Sequence, residues 1–227
     1  MKEKVLLSWS GGKDSALVLD SLRSDGEFEI AALLTAVTED YQRISMHGVR
    51  RELLRAQAEA TGCALQEILL PRDCSDEEYA RRMEAALAPN VKAGTFKVAF
   101  GDLFLEDVRQ YRLDRLGLIG MTPVFPIWGI DTTELAHSFV ERGFRAIVVC
   151  VDIHTLDGSY AGREFDESLL ADLPPEVDPC GENGEFHTFV YDGPIFARPI
   201  PVTRGEVILR EARFAYCDVL PDGLPDS

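Results

Sequence analysis

Ser10-Gly11-Gly12-Lys13-Asp14-Ser15 gathers two glycines, two hydroxyls, one ammonium and one carboxylate into six positions, a set suited to holding an anion. It follows the apolar run Val5-Leu6-Leu7 and precedes Ala16-Leu17-Val18-Leu19, so the order is strand, glycine turn, helix. Gly11 and Gly12 tolerate positive φ and let a ligand approach the backbone, while the first turn of a helix presents N–H groups with no intrahelical partner. The expected ligand is a phosphate chain. The pattern is not a Walker A loop, because Asp14 stands where Ser or Thr must follow Gly-Lys and the leading glycine is missing. An ordinary strand-to-helix turn, with Asp14 or Ser15 as cap, is the competing reading.

Other segments carry residue types for proton and cation chemistry. Thr35 lies at the end of the second apolar run, and a polar stretch then leads to Ser45-Met46-His47-Gly48. Gly101-Asp102 ends the fourth run; Gly101 lets backbone approach a nucleotide, and Asp102 could orient ribose, metal or substrate, unless it only caps a helix. Late in the chain, Cys180-Gly181-Glu182-Asn183-Gly184-Glu185-Phe186-His187-Thr188 alternates glycine with carboxylate just before a strand. Glu182 and Glu185 could accept from an amine, bind a metal or act as a base, and His187 titrates near neutrality when unperturbed. Taken alone, that segment reads equally as a solvated acidic turn.

The elements that must position these groups alternate in the manner of parallel α/β units. Strands are expected at Lys4–Leu7, Glu29–Ala36, Ala64–Leu70 and Lys97–Phe100, and helices at Asp14–Arg23, Val49–Ala60, Asp76–Leu87 and Leu105–Leu116. Ser75 with Glu78 is a capping-box signature for the third helix. After residue 120 the pattern changes. A helix is expected at Thr132–Arg142, a strand at Arg145–Val151 and a short helix at Asp166–Leu173, followed by short strands at Phe186–Tyr191, Arg198–Val202, Glu206–Leu209 and Phe214–Val219 and a loose end from Pro221. The expected architecture is α/β, a doubly wound and mostly parallel sheet over residues 1–125, with a smaller α+β lobe over 126–227 and a cleft between them.

The chain has 227 residues, 46% of them hydrophobic, enough for a substantial core. No run approaches the ~18 apolar residues of a membrane span, and Met1-Lys2-Glu3-Lys4 enters a strand with no secretory signal, which makes the cytoplasm the expected location. Five scattered cysteines include no C-x-x-C pair and indicate neither a zinc site nor a disulfide framework. With 39 acidic and 23 basic residues, the net charge of -16 opposes binding to nucleic acid.

Ser10-Gly11-Gly12-x-Asp14-Ser15 resembles the S-G-G-x-D-S loop of PP-loop ATP pyrophosphatases. The order of motifs along most of the chain further resembles the diphthine-ammonia ligase family: Ser10–Ser15, the loop with Ser45 and His47, Gly101-Asp102, Gly162-Arg163 with Asp166, and Gly181–Thr188 followed by Asp192-Gly193-Pro194. That resemblance implies an adenine nucleotide α-hydrolase-like fold and cleavage of ATP between its α- and β-phosphates, giving an acyl-adenylate that ammonia converts to an amide. It implies that Ser10, Gly11, Gly12, Lys13, Asp14, Ser15, Thr35, His47, Gly101 and Asp102 contact the nucleotide, with Asp14 a Mg²⁺ ligand. Lys13, Glu182, Glu185 and His187 would carry the chemistry. The implied partners are ATP, an unidentified carboxylate and ammonia, without nucleic acid or membrane, and with a homodimer left open. The chain departs from the family at Asn183, at His187 and in Leu103-Phe104-Leu105-Glu106-Asp107, and looks like a bacterial branch, for which diphthine need not be the carboxylate. A nucleotide hydrolase without an acceptor, or a module that only binds nucleotide, is the alternative.

Overall fold

The computed structural model describes residues 2–45 and 47–222. Its first part contains β1 (Glu3–Ser8), α1 (Lys13–Asp25), β2 (Phe28–Thr38), β3 (Arg43–Ile44), α2 (Arg51–Thr61), β4 (Leu65–Leu70), α3 (Asp76–Lys92), β5 (Lys97–Ala99), α4 (Glu106–Gly117) and β6 (Thr122–Val124). β1 pairs in parallel with β2 and with β5, β4 joins β2, and β6 joins β5. The parallel order is therefore β4-β2-β1-β5-β6. The two-residue β3 runs antiparallel to the end of β2. Trp9 and Ser45 both donate their amides to that strand, at the Leu34 and Ala36 carbonyls, so β3 continues the edge that β1 leaves.

Alternate residues of the central strands enter different cores, which is why the sheet is covered on both faces. Val5, Leu7, Leu33 and Ala99 join the larger core, together with Leu17, Leu53 and Leu54 of α1 and α2. Leu6, Leu34 and Val98 face the smaller one with Leu87 of α3 and Leu116 of α4. The connection from β1 goes to one side and the chain later returns as β5 on the other, making a topological switch point between their C-terminal ends.

The second part contains α5 (Thr132–Glu141), β7 (Arg145–Asp152), α6 (Glu167–Asp172), β8 (Phe186–Asp192), β9 (Val202–Arg210) and β10 (Phe214–Pro221). Its four strands form an antiparallel sheet in the order β8-β7-β10-β9. Ile147, Val149, Phe189 and Ala215 of this sheet lie in the same core as α1 and α2, so the two sheets pack together through one continuous apolar interior.

The expected α/β architecture with a mostly parallel sheet is the one found. Two local readings need correction. The segment expected as a strand at Arg198–Val202 is irregular up to Pro201, where two prolines leave few donors for a ladder, and β9 instead starts at Val202 and absorbs the run at Glu206–Leu209. Pro123 lies inside β6, at the sheet edge where a missing N–H is tolerated. Ser75 Oγ does accept from the Glu78 amide, at 3.2 Å, but the Glu78 carboxylate turns to Arg81 and Arg82, so only half of the capping box forms. Of the expected loose end, Pro221 closes β10 and residues 223–227 lie outside the described residues, as does Met46. Among the described residues no helix is long and apolar enough to cross a membrane.

Candidate active site at the sheet switch point

The glycine turn leaves the C-terminal end of β1 and enters α1 with Gly12 as N-cap and no capping side chain. Gly11 sits at φ 78°, and a Cβ there would lie 2.6 Å from Gln57 Oε1. That conformation and that approach both require glycine. Gln57 on α2 is fully buried, with its amide spent on three partners: Oε1 accepts from Trp9 Nε1 at 3.0 Å, and Nε2 donates to the carbonyls of Gly11 at 2.9 Å and Val190 at 2.6 Å. β8 holds the loop from the other side. The Val190 amide donates to the Gly11 carbonyl at 2.9 Å, and the Lys13 amide donates to Thr188 Oγ1 at 3.0 Å.

Within this frame, Ser15 Oγ donates to the Gly12 carbonyl at 2.9 Å and lies 3.3 Å from Ser10 Oγ. Thr35 is buried, and its hydroxyl donates to the Trp9 carbonyl at 2.6 Å. It therefore braces the end of β1 from beneath.

Lys13 is 3% exposed. Its ammonium donates to both oxygens of Asp14, each at 2.8 Å, and to the Cys180 carbonyl in the acidic loop. Burial works against its charge, but the Asp14 carboxylate, with help from Cys180 and Asp178, outweighs that and raises its pKa. Lys13 is a retained cation at the mouth of the loop.

The β5 end closes the other side of the switch point. A Cβ on Gly101 would come within 3.1 Å of the Asp14 carbonyl carbon and Cβ and 3.3 Å of the Ser15 amide, so only a residue without a side chain lets β5 meet the start of α1 this closely. Asp102 stands beside Arg112 of α4, with 3.4 Å between Nε and Oδ2. The N-cap of α4 is Leu105, so Asp102 caps no helix.

The acidic loop packs directly onto this end of the sheet. Glu182 Oε1 accepts from the Leu103 amide at 2.8 Å, just past Asp102. Burial pushes its carboxyl up to about 7, against the pull of that amide and with the added repulsion of Asp14 and Asp102. Glu185 points inward and is 4% exposed: Oε1 accepts from the Asp178 amide at 3.2 Å and from Asn183 Nδ2 at 2.9 Å, while Oε2 is buried without a hydrogen-bond partner. His187 and His47 face one another with ring centroids 4.3 Å apart. Burial, then Lys13, lowers His187 to about 4, and burial with the facing His187 ring lowers His47 well below the usual imidazole value. Both rings are neutral at physiological pH.

Lys13, Asp14, Glu182, Gly101, Asp102, His47 and His187 are thus gathered around one end of the parallel sheet, while Thr35 and Glu185 lie beneath the surface as braces. Gln57 and Thr188 were absent from the sequence expectation as positioning groups. A polar amide inside the apolar stripe of α2 is the one sequence signal that points to Gln57. Among the described residues, no group of three His, Cys, Asp or Glu side chains is arranged to hold a metal ion.

A glycine turn at the switch point of a doubly wound parallel sheet, backed by an antiparallel lobe, matches the architecture of a PP-loop fold. Residues 1–120 match the diphthamide synthase N-terminal domain and residues 131–219 match the diphthamide synthase C-terminal domain, so the chain belongs to the diphthamide synthase family. Among curated proteins, it is 24% identical over 229 residues to the diphthine-ammonia ligase of Rattus norvegicus, covering 89% of this chain and 84% of the rat protein. It is 31% identical over 94 residues to that of Schizosaccharomyces pombe, covering 40% of this chain and 16% of the yeast protein. With the Bos taurus protein it shares 28% over 114 residues, covering 48% of this chain and 43% of the bovine one. The chain spans less than half the length of the yeast and bovine relatives.

Proposed function

We propose that this protein is an ATP-dependent amide ligase: it activates a carboxylate as an acyl-adenylate, releases pyrophosphate, and lets ammonia displace AMP to form the amide. The reading rests on one observation, the buried Lys13 ammonium joined both to Asp14 at the start of α1 and to the Cys180 carbonyl of the acidic loop. That contact joins the glycine turn to the carboxylate-bearing loop and so supports the reading. Family membership supports the use of ATP and ammonia. The amides at the start of α1, the hydroxyls of Ser10 and Ser15 and the Lys13 ammonium hold the phosphates, where donors fixed in advance stabilise the charge that develops on the leaving pyrophosphate.

Glu182 takes the proton from ammonium. A carboxyl with a pKa of about 7 is ionised in part at neutral pH and accepts a proton without a large penalty. His47 and His187, both neutral, form an uncharged wall beside it. Asp14 is the residue that would hold a magnesium ion brought with the nucleotide, once one of its oxygens leaves Lys13, and the ion would supply positive charge beside the phosphates. Residues 1–125 serve as the nucleotide domain and 126–227 as the acceptor lobe, with the cytoplasm as the place of action.

The test is to incubate the protein with Mg-ATP, ammonium and a panel of carboxylates, then identify the nucleotide product. AMP and pyrophosphate formed only with a carboxylate present support the ligase. AMP formed without any acceptor indicates a hydrolase, ADP refutes α,β-cleavage, and binding without turnover indicates a sensing module.

A further inference from the structure

The antiparallel sheet has two edges with different fates. β8 is covered, because its Val190 amide is taken by the Gly11 carbonyl of the glycine turn. β9 forms the other edge, and among the described residues it pairs only with β10. It is nine residues long and carries Val207, Ile208 and Leu209 in succession at 51%, 44% and 55% exposure. Alternation puts Val207 and Leu209 on one face and Ile208 on the other, so neither face of the strand explains all three. Charges and bulges normally guard the edge strands of monomeric proteins, and in β9 Arg204, Glu206 and a register shift opposite Cys217–Val219 guard the first half, but the three consecutive exposed apolar residues that follow make a template for another strand.

We propose that β9 pairs antiparallel with β9 of a second copy of this chain, about a two-fold axis through Ile208, joining the two antiparallel sheets into one of eight strands. The register is chosen by the sequence Glu206-Val207-Ile208-Leu209-Arg210. Centred on Ile208, it sets Glu206 of each copy opposite Arg210 of the other, Val207 opposite Leu209, and Ile208 opposite itself. Every cross-strand pair is then either apolar or oppositely charged. Centring on Val207 would set Arg204 opposite Arg210, and centring on Glu206 would oppose two glutamates; each puts like charges face to face. A chain with net charge -16 repels its own copies at long range, so association needs such local complementarity. The two-fold arrangement is self-complementary, and it closes at the dimer.

Sedimentation equilibrium of the full chain across micromolar concentrations tests this. The wild-type protein is expected to dimerise. Ile208→Lys, which places two ammonium groups on the axis, is expected to be monomeric with an unchanged circular dichroism spectrum. Glu206→Arg should weaken the dimer roughly a hundredfold, since it opposes Arg210 twice. The double variant Glu206→Arg with Arg210→Glu should regain the wild-type affinity, and this recovery depends on the register. A wild-type monomer, a dimer indifferent to Ile208→Lys, or a double variant no tighter than Glu206→Arg would each overturn the proposal. Failure here leaves the ligase reading untouched, because no β9 residue lies at the switch point.

Discussion

The glycine turn at Ser10–Ser15 and the acidic loop at Asp178–Glu185 meet at Lys13, yet they are built on opposite principles. Around the turn, Gln57, Thr188 and Val190 anchor Gly11 and Lys13, and an extra Cβ on Gly11 has nowhere to go. The acidic loop instead holds Glu182 near the midpoint of its titration and leaves one oxygen of Glu185 unpaired. Donors for a phosphate chain work best when fixed beforehand, because no reorganisation is then needed as charge develops. A proton acceptor must change state in every cycle. On the proposed reading, the difference separates a firmly anchored nucleotide side from a pH-responsive acceptor side.

The contrast breaks most completely at the residue the two halves share. Lys13→Ala removes the only ammonium in the turn and its link to Cys180, and pyrophosphate release should fall by about two to three orders of magnitude. Gln57→Ala strands the Trp9 indole N–H, removes the side-chain donor to the Val190 carbonyl and leaves the Gly11 carbonyl with the Val190 amide alone. It should lower the unfolding free energy by about 2–4 kcal/mol, read from urea midpoints at constant slope. An unchanged midpoint would mean that the turn is not anchored as described. Gly101→Ala presses a methyl group against Asp14, and the resulting shift at the start of α1 should raise the ATP KM about tenfold with a smaller change in kcat.

Smaller effects sharpen the acceptor side. Glu182 titrates at about 7 in the folded protein against an ordinary value of 4.5, so between these limits the folded state holds a proton that the unfolded chain has lost. Its contribution to stability therefore declines as pH rises through that window, and Glu182→Gln should remove this slope. The same substitution should abolish a rise in kcat near pH 7. His187→Gln should leave that rise in place, because His187 gains its charge only near pH 4. If His187→Gln removes the inflection and Glu182→Gln does not, the proton acceptor is the histidine.

Much of this was legible in the sequence because it is local. The glycine turn, the helix starting after it and the Gly101-Asp102 strand end are each set by neighbours in the chain, and apolar runs of strand length located most strands. What eluded sequence reasoning depends on distant partners. Thr35 stands at a strand end, the place expected for a nucleotide contact, and the bond from its hydroxyl to the Trp9 carbonyl is not visible in the sequence. Glu185 reads as an amine acceptor, a metal ligand or a base, or as part of a solvated acidic turn, and the loop folds around it and buries it. Periodicity marks Gln57 only as an intruder in an apolar stripe; its task is visible once β8 arrives beside α2. β9 was divided by its glycine and charges into shorter runs, although pairing with β10 holds it as one strand through a register shift opposite Cys217–Val219.

The bond from the Lys13 amide to Thr188 joins positions 175 residues apart. Synthesis delivers the glycine turn first and its counterpart 175 residues later. Chains emerge at about 5–20 residues per second, so the turn spends on the order of ten seconds or more without its β8 support. A truncated product ending before β8 would carry every residue of the turn and still lack the Thr188 and Val190 bonds that align them. On the reading proposed above, such a chain is expected to bind ATP more weakly than one that carries β8.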